Sequence, residues 1–415
     1  MKTWITYIAA LLMGLAAALL MSSIDLAYEI ISSVSSFLVS FGMFITIPVV
    51  FISFASGTAS LMKDRKGWKT AGMSFLWSVI SALVLAFAAC IIFIAEPEAF
   101  PVTSSAGSAP GTLSSHVYYM LSSSSSSLYP GNPFLTLATT IRFILPVVIV
   151  AWIFGLALKP SSDIIRPAYT TMNSFAEVMY RISRTYSVYG FFLTFFASAS
   201  LFIGIYQEKT LFAAPEYAVL IVLALAAAVL IILPLLYGVF TGFKKNPYKV
   251  LLRSIAPALL AFSSSNSVCT IPVSESIARQ NLGVQKRISS VTVPVFSIIG
   301  KGGSAFISTI ILLSLYQATA NEAPGTGVIA ATALTAVLVS FISSFSMGTE
   351  TALITVLTLN ILGINLYGAE NAIIAMLPLI GGLGAMVDSI ISSYGSSIVA
   401  TAIGTDIEIP YRDTI

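Results

Sequence analysis

Charge is what this sequence has least of. Only 9% of its 415 residues are Asp, Glu, Lys or Arg, against about 25% in an ordinary soluble domain. With 57% of residues hydrophobic and a mean hydropathy of +0.94, a soluble fold is excluded, and lipid must be the solvent for most of the chain. One histidine and two cysteines supply neither a metal centre nor a disulfide framework. Cys90 and Cys269 stand in separate apolar stretches and read as packing residues. His116 lies among Ser and Gly with no ligand-type neighbour and reads as solvated. No nucleophile stands beside a base and no phosphate loop occurs, so neither an enzyme nor a cofactor is expected. A net charge of +3 is too small to point to nucleic acid.

What is present is long apolar runs, such as Val219 to Leu236. Barrel strands would alternate over segments of about 10 residues, so the expected fold is an all-α membrane protein. Apolar stretches near residues 4–22, 27–62, 70–95, 134–158, 188–206, 214–242, 288–316 and 372–404 predict eight transmembrane helices, several tilted or extended beyond the bilayer. The first stretch, with Lys2, approaches span length and lacks a small-x-small cleavage site, so it reads as a span and not as a leader.

Basic residues cluster on alternate loops. Lys63, Arg65, Lys66 and Lys69 follow the second span, Lys159, Arg166, Arg181 and Arg184 the fourth, and Lys244, Lys245, Lys249 and Arg253 the sixth. Between them, residues 96–133 and 317–327 carry no Lys or Arg, and 207–216 only Lys209. This parity places both termini in the cytoplasm. Residues 99–130, with the run Ser122 to Ser127, predict a flexible external loop.

Two apolar segments are interrupted. The first runs from Ile255 to Phe262, breaks at Ser263-Ser264-Ser265-Asn266-Ser267, and resumes over Val268 to Ile277, with basic flanks. The second runs from Val328 to Ile342, breaks at residues 343–350, and resumes to Leu362, with flanks free of base. They read as two re-entrant helical hairpins of opposite entry forming inverted repeats, whose unwound tips line a cavity near the midplane. The alternative is a pair of ordinary helices with polar kinks.

The order of spans and hairpins resembles the dicarboxylate/amino acid:cation symporter family, which includes glutamate and aspartate transporters. Ile45 to Phe51 is similar to the family's Met-Pro-Ile-Val-Phe, Asn132-Pro133-Phe134 matches its Asn-Pro-Phe, and Ser263 to Val273 resembles its serine-rich tip. The resemblance implies a homotrimer, a static scaffold and a moving transport domain. On that plan residues 1–62 hold scaffold helices 1 and 2, and 63–158 hold transport helix 3, the external loop and scaffold helix 4. Residues 159–213 hold scaffold helix 5, and 214–415 hold the rest of the transport domain. The family's binding motifs do not carry over. Its Asn-Met-Asp-Gly-Thr corresponds to Gly300-Lys301-Gly302-Gly303-Ser304, and its Gly-Val-Pro-Gly-Ala-Gly to Ser346-Met347-Gly348-Thr349-Glu350-Thr351. In the last span the amine-binding aspartate falls on Met386, the side-chain-binding arginine on Ser389, and the sodium-linked residues on Ser393 and Ser397. Asp388, two positions from the expected carboxylate, is rotated by about 200° on a helix.

Lys301, Glu350 and Asp388 are the ionisable residues expected deep in the C-terminal apolar segments, where each charge costs at least roughly 2.5 to 3.5 kcal/mol. They should face a cavity or one another. Lys301 paired with Asp388 or Glu350 would act as a built-in cation, or merely as a structural ion pair. Gly300, Gly302, Ser397 and Ser81 complete the positions expected for ion coupling or its replacement. Expected to hold the solute are Ser263, Ser264, Ser265, Asn266, Ser267, Ser346, Met347, Gly348, Thr349, Asp388, Ser389, Ser392 and Ser393. The expected function is an elevator-type secondary transporter moving a small polar organic solute, an amino acid or carboxylate and preferably neutral or monocarboxylate, across the cytoplasmic membrane, with sodium coupling altered or lost and transport either proton-coupled or uncoupled, H+ or Na+ being the candidate ions. The alternatives are an ordinary sodium-coupled dicarboxylate symporter and a channel-like or sensory descendant.

Overall fold

The computed structural model describes residues 2–22, 24–101, 144–158, 161–208, 215–320, 322–343, 348, 350–364, 370–405, 407–410 and 413–415. His116, Asn132-Pro133-Phe134, Ser346, Met347 and Thr349 lie outside the described residues.

The elements are helical throughout: α1 (Thr3–Met21), α2 (Asp25–Lys63), α3 (Gly67–Ala95), α4 (Leu145–Ala157), α5 (Arg166–Glu208) and α6 (Pro215–Ala226). From α6 a π-helical segment (Ala227–Ile232) leads into α7 (Leu233–Thr241), followed by α8 (Pro247–Arg253), α9 (Ile255–Ser264) and α10 (Ile271–Gln280). The chain ends with α11 (Lys286–Ile298), α12 (Gly302–Ala320), α13 (Thr326–Ile342), α14 (Glu350–Leu362) and α15 (Glu370–Ile403). Among the described residues, seven helical stretches are long and apolar enough to cross a membrane.

Three differences from the sequence expectation have physical causes. The seventh apolar stretch, expected to be continuous, is broken between α11 and α12, because Gly300 takes a left-handed φ of 68° that ends one helix before the next begins. The fifth starts at Arg166 rather than near 188. Its added turns are amphipathic, so Glu177 can pair with Arg279 and Lys286 while the opposite face stays exposed. The first interruption lies at residues 265–270, since Ser263 and Ser264 remain in α9 and Ser265, at φ 51°, ends it.

The core sits in the C-terminal half. In the most apolar part of α11–α12, 94% of residues are buried, against 22% in α1. Large apolar side chains such as Leu20, Phe44 and Ile91 are exposed around the outside, as expected where acyl chains replace water. Basic groups gather at one end with both chain ends. Lys66 and Lys69 donate to the Ile403 and Ala402 carbonyls at the end of α15. Lys2 donates to the Thr414 carbonyl, and Arg253 to those of Asn281 and Ile409.

Candidate functional site

The two interruptions lie against each other. In the first, the Asn266 side-chain oxygen accepts from the backbone N–H groups of Val268 at 2.9 Å and Cys269 at 3.2 Å, supplying from a side chain what the unwound backbone lacks. In the second, Gly348 takes φ 78°. A Cβ there would lie 3.3 Å from Asn266 Nδ2, so the backbone reaches the other tip because glycine stands there. Ser267 Oγ lies 3.5 Å from Glu350 Oε1 at the start of α14.

Lys301 stands in the break of the seventh stretch and is wholly buried. Its ammonium has three protons to donate and meets three acceptors: the Ser297 carbonyl, the Ser267 hydroxyl and Glu350 Oε1, the last at 3.3 Å. The Ser297 carbonyl belongs to the last turn of α11, the negative end of that helix. Close packing holds the break: a Cβ on Gly300 would meet Ser78 Cβ at 2.9 Å, and one on Gly302 would meet Ala82 Cα at 3.0 Å, both on α3. Ser81, on the same stretch of α3, bonds back to the Ser78 carbonyl at 3.2 Å.

Asp388 answers the other side of the same break. Its carboxylate accepts from the Gly303 N–H and the Ser304 hydroxyl, each at 2.7 Å, and so caps the positive N-terminus of α12 from a neighbouring helix. Thr351 Oγ1 donates to Ser304 Oγ at 3.0 Å, giving a directed chain from α14 through α12 to α15. Of the two pairings open to Lys301, the one within ion-pair distance is with Glu350. Breaking the span thus exposes a negative and a positive helix end, and each is met by a buried charge of opposite sign.

The remaining expected residues divide by partner. Ser263 and Ser264 donate to the Leu260 carbonyl, and Ser265 to that of Pro378 at 2.6 Å. Ser393 donates to the Ser389 carbonyl, and Ser397 shares a hydrogen bond with Tyr237 at 3.0 Å. Ser389 and Ser392 are buried, and their hydroxyls have no partner among the described residues. Sequence reasoning did not assign roles to Ser297, Ser304 or Thr351. Nothing in the sequence sets them apart from the many hydroxyl residues that bond only to their own helix.

A family model described as the sodium:dicarboxylate symporter family matches residues 3–404. The human neutral amino acid transporter B(0) is 25% identical over 306 residues, covering 66% of this chain and 56% of that protein. The rabbit (Oryctolagus cuniculus) neutral amino acid transporter B(0) is 29% identical over 175 residues, or 42% of this chain and 32% of that protein. The human neutral amino acid transporter A is 36% identical over 87 residues, or 21% of this chain and 16% of that protein. The chain therefore spans about a third to just over half the length of the B(0) relatives it matches. The family is one of membrane symporters and not of enzymes, and its model takes in the helices, both interruptions and the break between α11 and α12 alike. On that evidence the chain belongs to the sodium:dicarboxylate symporter family.

Proposed function

We propose that this protein is a secondary transporter moving a small polar solute, of the neutral amino acid or monocarboxylate class, across the cytoplasmic membrane by elevator-type alternating access. In it the Lys301 ammonium stands where a coupling cation would otherwise bind. One observation carries the reading: a wholly buried lysine, with all three donors met, occupies the break of a discontinuous span. A fixed ammonium there neutralises the end of α11 and Glu350 without an ion from solution.

The lengths of α9 and α10, ten residues each, support two half-crossing arms of about 15 Å that enter and return. The adjoining breaks support a second hairpin, α13–α14, reaching the first from the opposite face, with eight full spans around them. The gathering of Lys66, Lys69, Arg253 and both chain ends at one end favours cytoplasmic termini. We assign α1, α2, α4 and α5 to a static scaffold within a homotrimer, and α3 with α6–α15 to the moving part. We put the solute between the tips, against Asn266 and Gly348, and take Ser389 and Ser392 of α15, whose hydroxyls have no partner among the described residues, as further donors to it. Two features favour a neutral amino acid over a dicarboxylate. The last span carries no arginine, and relatives are named as neutral amino acid transporters.

The test is counterflow of labelled neutral amino acids in liposomes, with sodium, potassium or choline as the bulk cation. Saturable exchange that persists without sodium is expected, and Lys301→Met should abolish it. Strict sodium dependence, or wild-type exchange by Lys301→Met, overturns the built-in cation, and flux without counterflow overturns the carrier.

A further inference from the structure

A buried carboxylate remote from Lys301 is left without its natural partner. Glu275, on α10, is 1% exposed. One of its oxygens accepts from Ser290 of α11 at 3.0 Å, and the other makes no hydrogen bond of normal geometry among the described residues, with the Ser53 hydroxyl of α2 as its polar neighbour. Such an oxygen carries a desolvation cost that protonation of the group removes. The residue placed to answer it is Arg279, one turn further along the same helix face. Arg279 turns away instead. Its Nη2 lies 3.3 Å from Glu177 of α5, and its guanidinium lies 3.2 Å from the centre of the Tyr180 ring.

The other charges around Glu275 are also committed elsewhere. Lys286 of α11 is 3.4 Å from the same Glu177 and donates to the Asn173 carbonyl. Arg287 of α11 pairs with Asp64 at the end of α2. Arg184 lies near Tyr180 on α5, α2 brings only the Ser53 hydroxyl, α9 carries no charge, and α15 keeps Asp388 on α12. Glu177 therefore pairs with two cations, whereas Arg279 and Lys286 act on Glu275 only from beyond ion-pair distance. Beside them a cavity of about 260 Å³, lined in part by Ser290, Lys286, Asn173 and Ser56, reaches the Ser290 that bonds the carboxyl.

We propose that Glu275 is a proton-binding site, loaded and emptied by the exchange of Arg279 between Glu177 and Glu275. The gating rests on the transporter reading above, in which α5 is static and α10 and α11 move. While Arg279 is held by Glu177, Glu275 is the neutral acid. When the two parts slide, Arg279 leaves Glu177 and folds back on its own helix. The O–H bond of the Glu275 acid breaks, its electron pair stays on the carboxylate, the proton passes to water in the cavity, and the Arg279 guanidinium closes on the anion. The reverse slide recaptures a proton, so each crossing of the carrier is linked to one proton at a place where the static and moving parts touch.

The test is an infrared titration of the full chain in liposomes, following the protonated-carboxyl band. Glu275→Gln should remove one such band that wild type shows. Glu177→Gln frees Arg279 without touching Glu275, and should lower the titration midpoint of that band by about 1–3 pH units, the effect of an arginine brought beside a carboxyl. A band unchanged by Glu275→Gln overturns the site, and an unmoved midpoint in Glu177→Gln overturns the exchange. Should Glu275→Gln fail to fold, Glu177→Gln still decides, because the Glu177 side chain is 43% exposed. The infrared reading needs no transport. Absence of counterflow with both infrared results intact would therefore count against the carrier reading alone.

Discussion

Replacing Lys301 with methionine keeps most of the side-chain volume and removes one charge, which makes it the sharpest probe of the break. In the wild type the ammonium has three acceptors, and among the described residues Glu350 otherwise has only the Ser267 hydroxyl at 3.5 Å. With Lys301 gone, a carboxylate 4% exposed is left nearly bare, and removing one partner of a buried pair costs about 3–5 kcal/mol. Removing both charges leaves no bare ion, so Lys301→Met with Glu350→Gln should recover much of the loss, a coupling of about 2–3 kcal/mol. Thermal unfolding in detergent of wild type, both single variants and the double variant measures this. At roughly 1 °C per kcal/mol for a chain this long, Lys301→Met should melt roughly 3–6 °C low, with the double variant above it. If the double variant is as unstable as the sum of the singles, the pair is not coupled and the reasoning about the break fails.

Other outcomes follow from the same packing. Gly303→Ala puts a Cβ 2.6 Å from Val387 Cβ and 2.7 Å from Asp388 N, both on α15. A loss of about 1–3 kcal/mol is expected from overpacking, and an unchanged melting temperature would show that α12 and α15 are further apart than described. Ser304→Ala cuts the chain from Thr351 to Asp388, leaving a buried hydroxyl and a carboxylate oxygen unmet. The same melting assay should register about 1–3 kcal/mol, and a neutral result would mean that Asp388 draws its support elsewhere.

The apolar runs, the serine-rich interruptions and the rarity of charge made the helices and the burial of Lys301, Glu350 and Asp388 legible without coordinates, whereas the equally buried Glu275 was missed because it stands beside the basic flank of Arg279 and Lys286. Helix α13 and the second interruption fall within a few residues of their expected limits, because hydropathy and a cluster of small polar residues are local properties. The break at Gly300 was less legible, since a lone glycine inside an apolar run is compatible with an unbroken helix. Its left-handed φ goes with the close approach of Ser78 on α3 and Phe341 on α13, which leave no room for a Cβ. The choice of Glu350 over Asp388 for Lys301 was likewise open, because spacing along one chain says nothing about which of two distant helices reaches a third.

By itself, then, the sequence determined the lipid solvent of this protein, its helical make-up and that Lys301, Glu350 and Asp388 needed partners, because burying a charge in lipid is costly wherever it happens; it did not mark Glu275. Tertiary structure alone decided the partnerships. Lys301 meets Glu350, Asp388 caps α12, and Arg279 leaves Glu275 for Glu177. Each of these pairings joins residues from separate helices or passes over the nearest one along the helix, and only the packing of the helices brings those groups within a few ångströms.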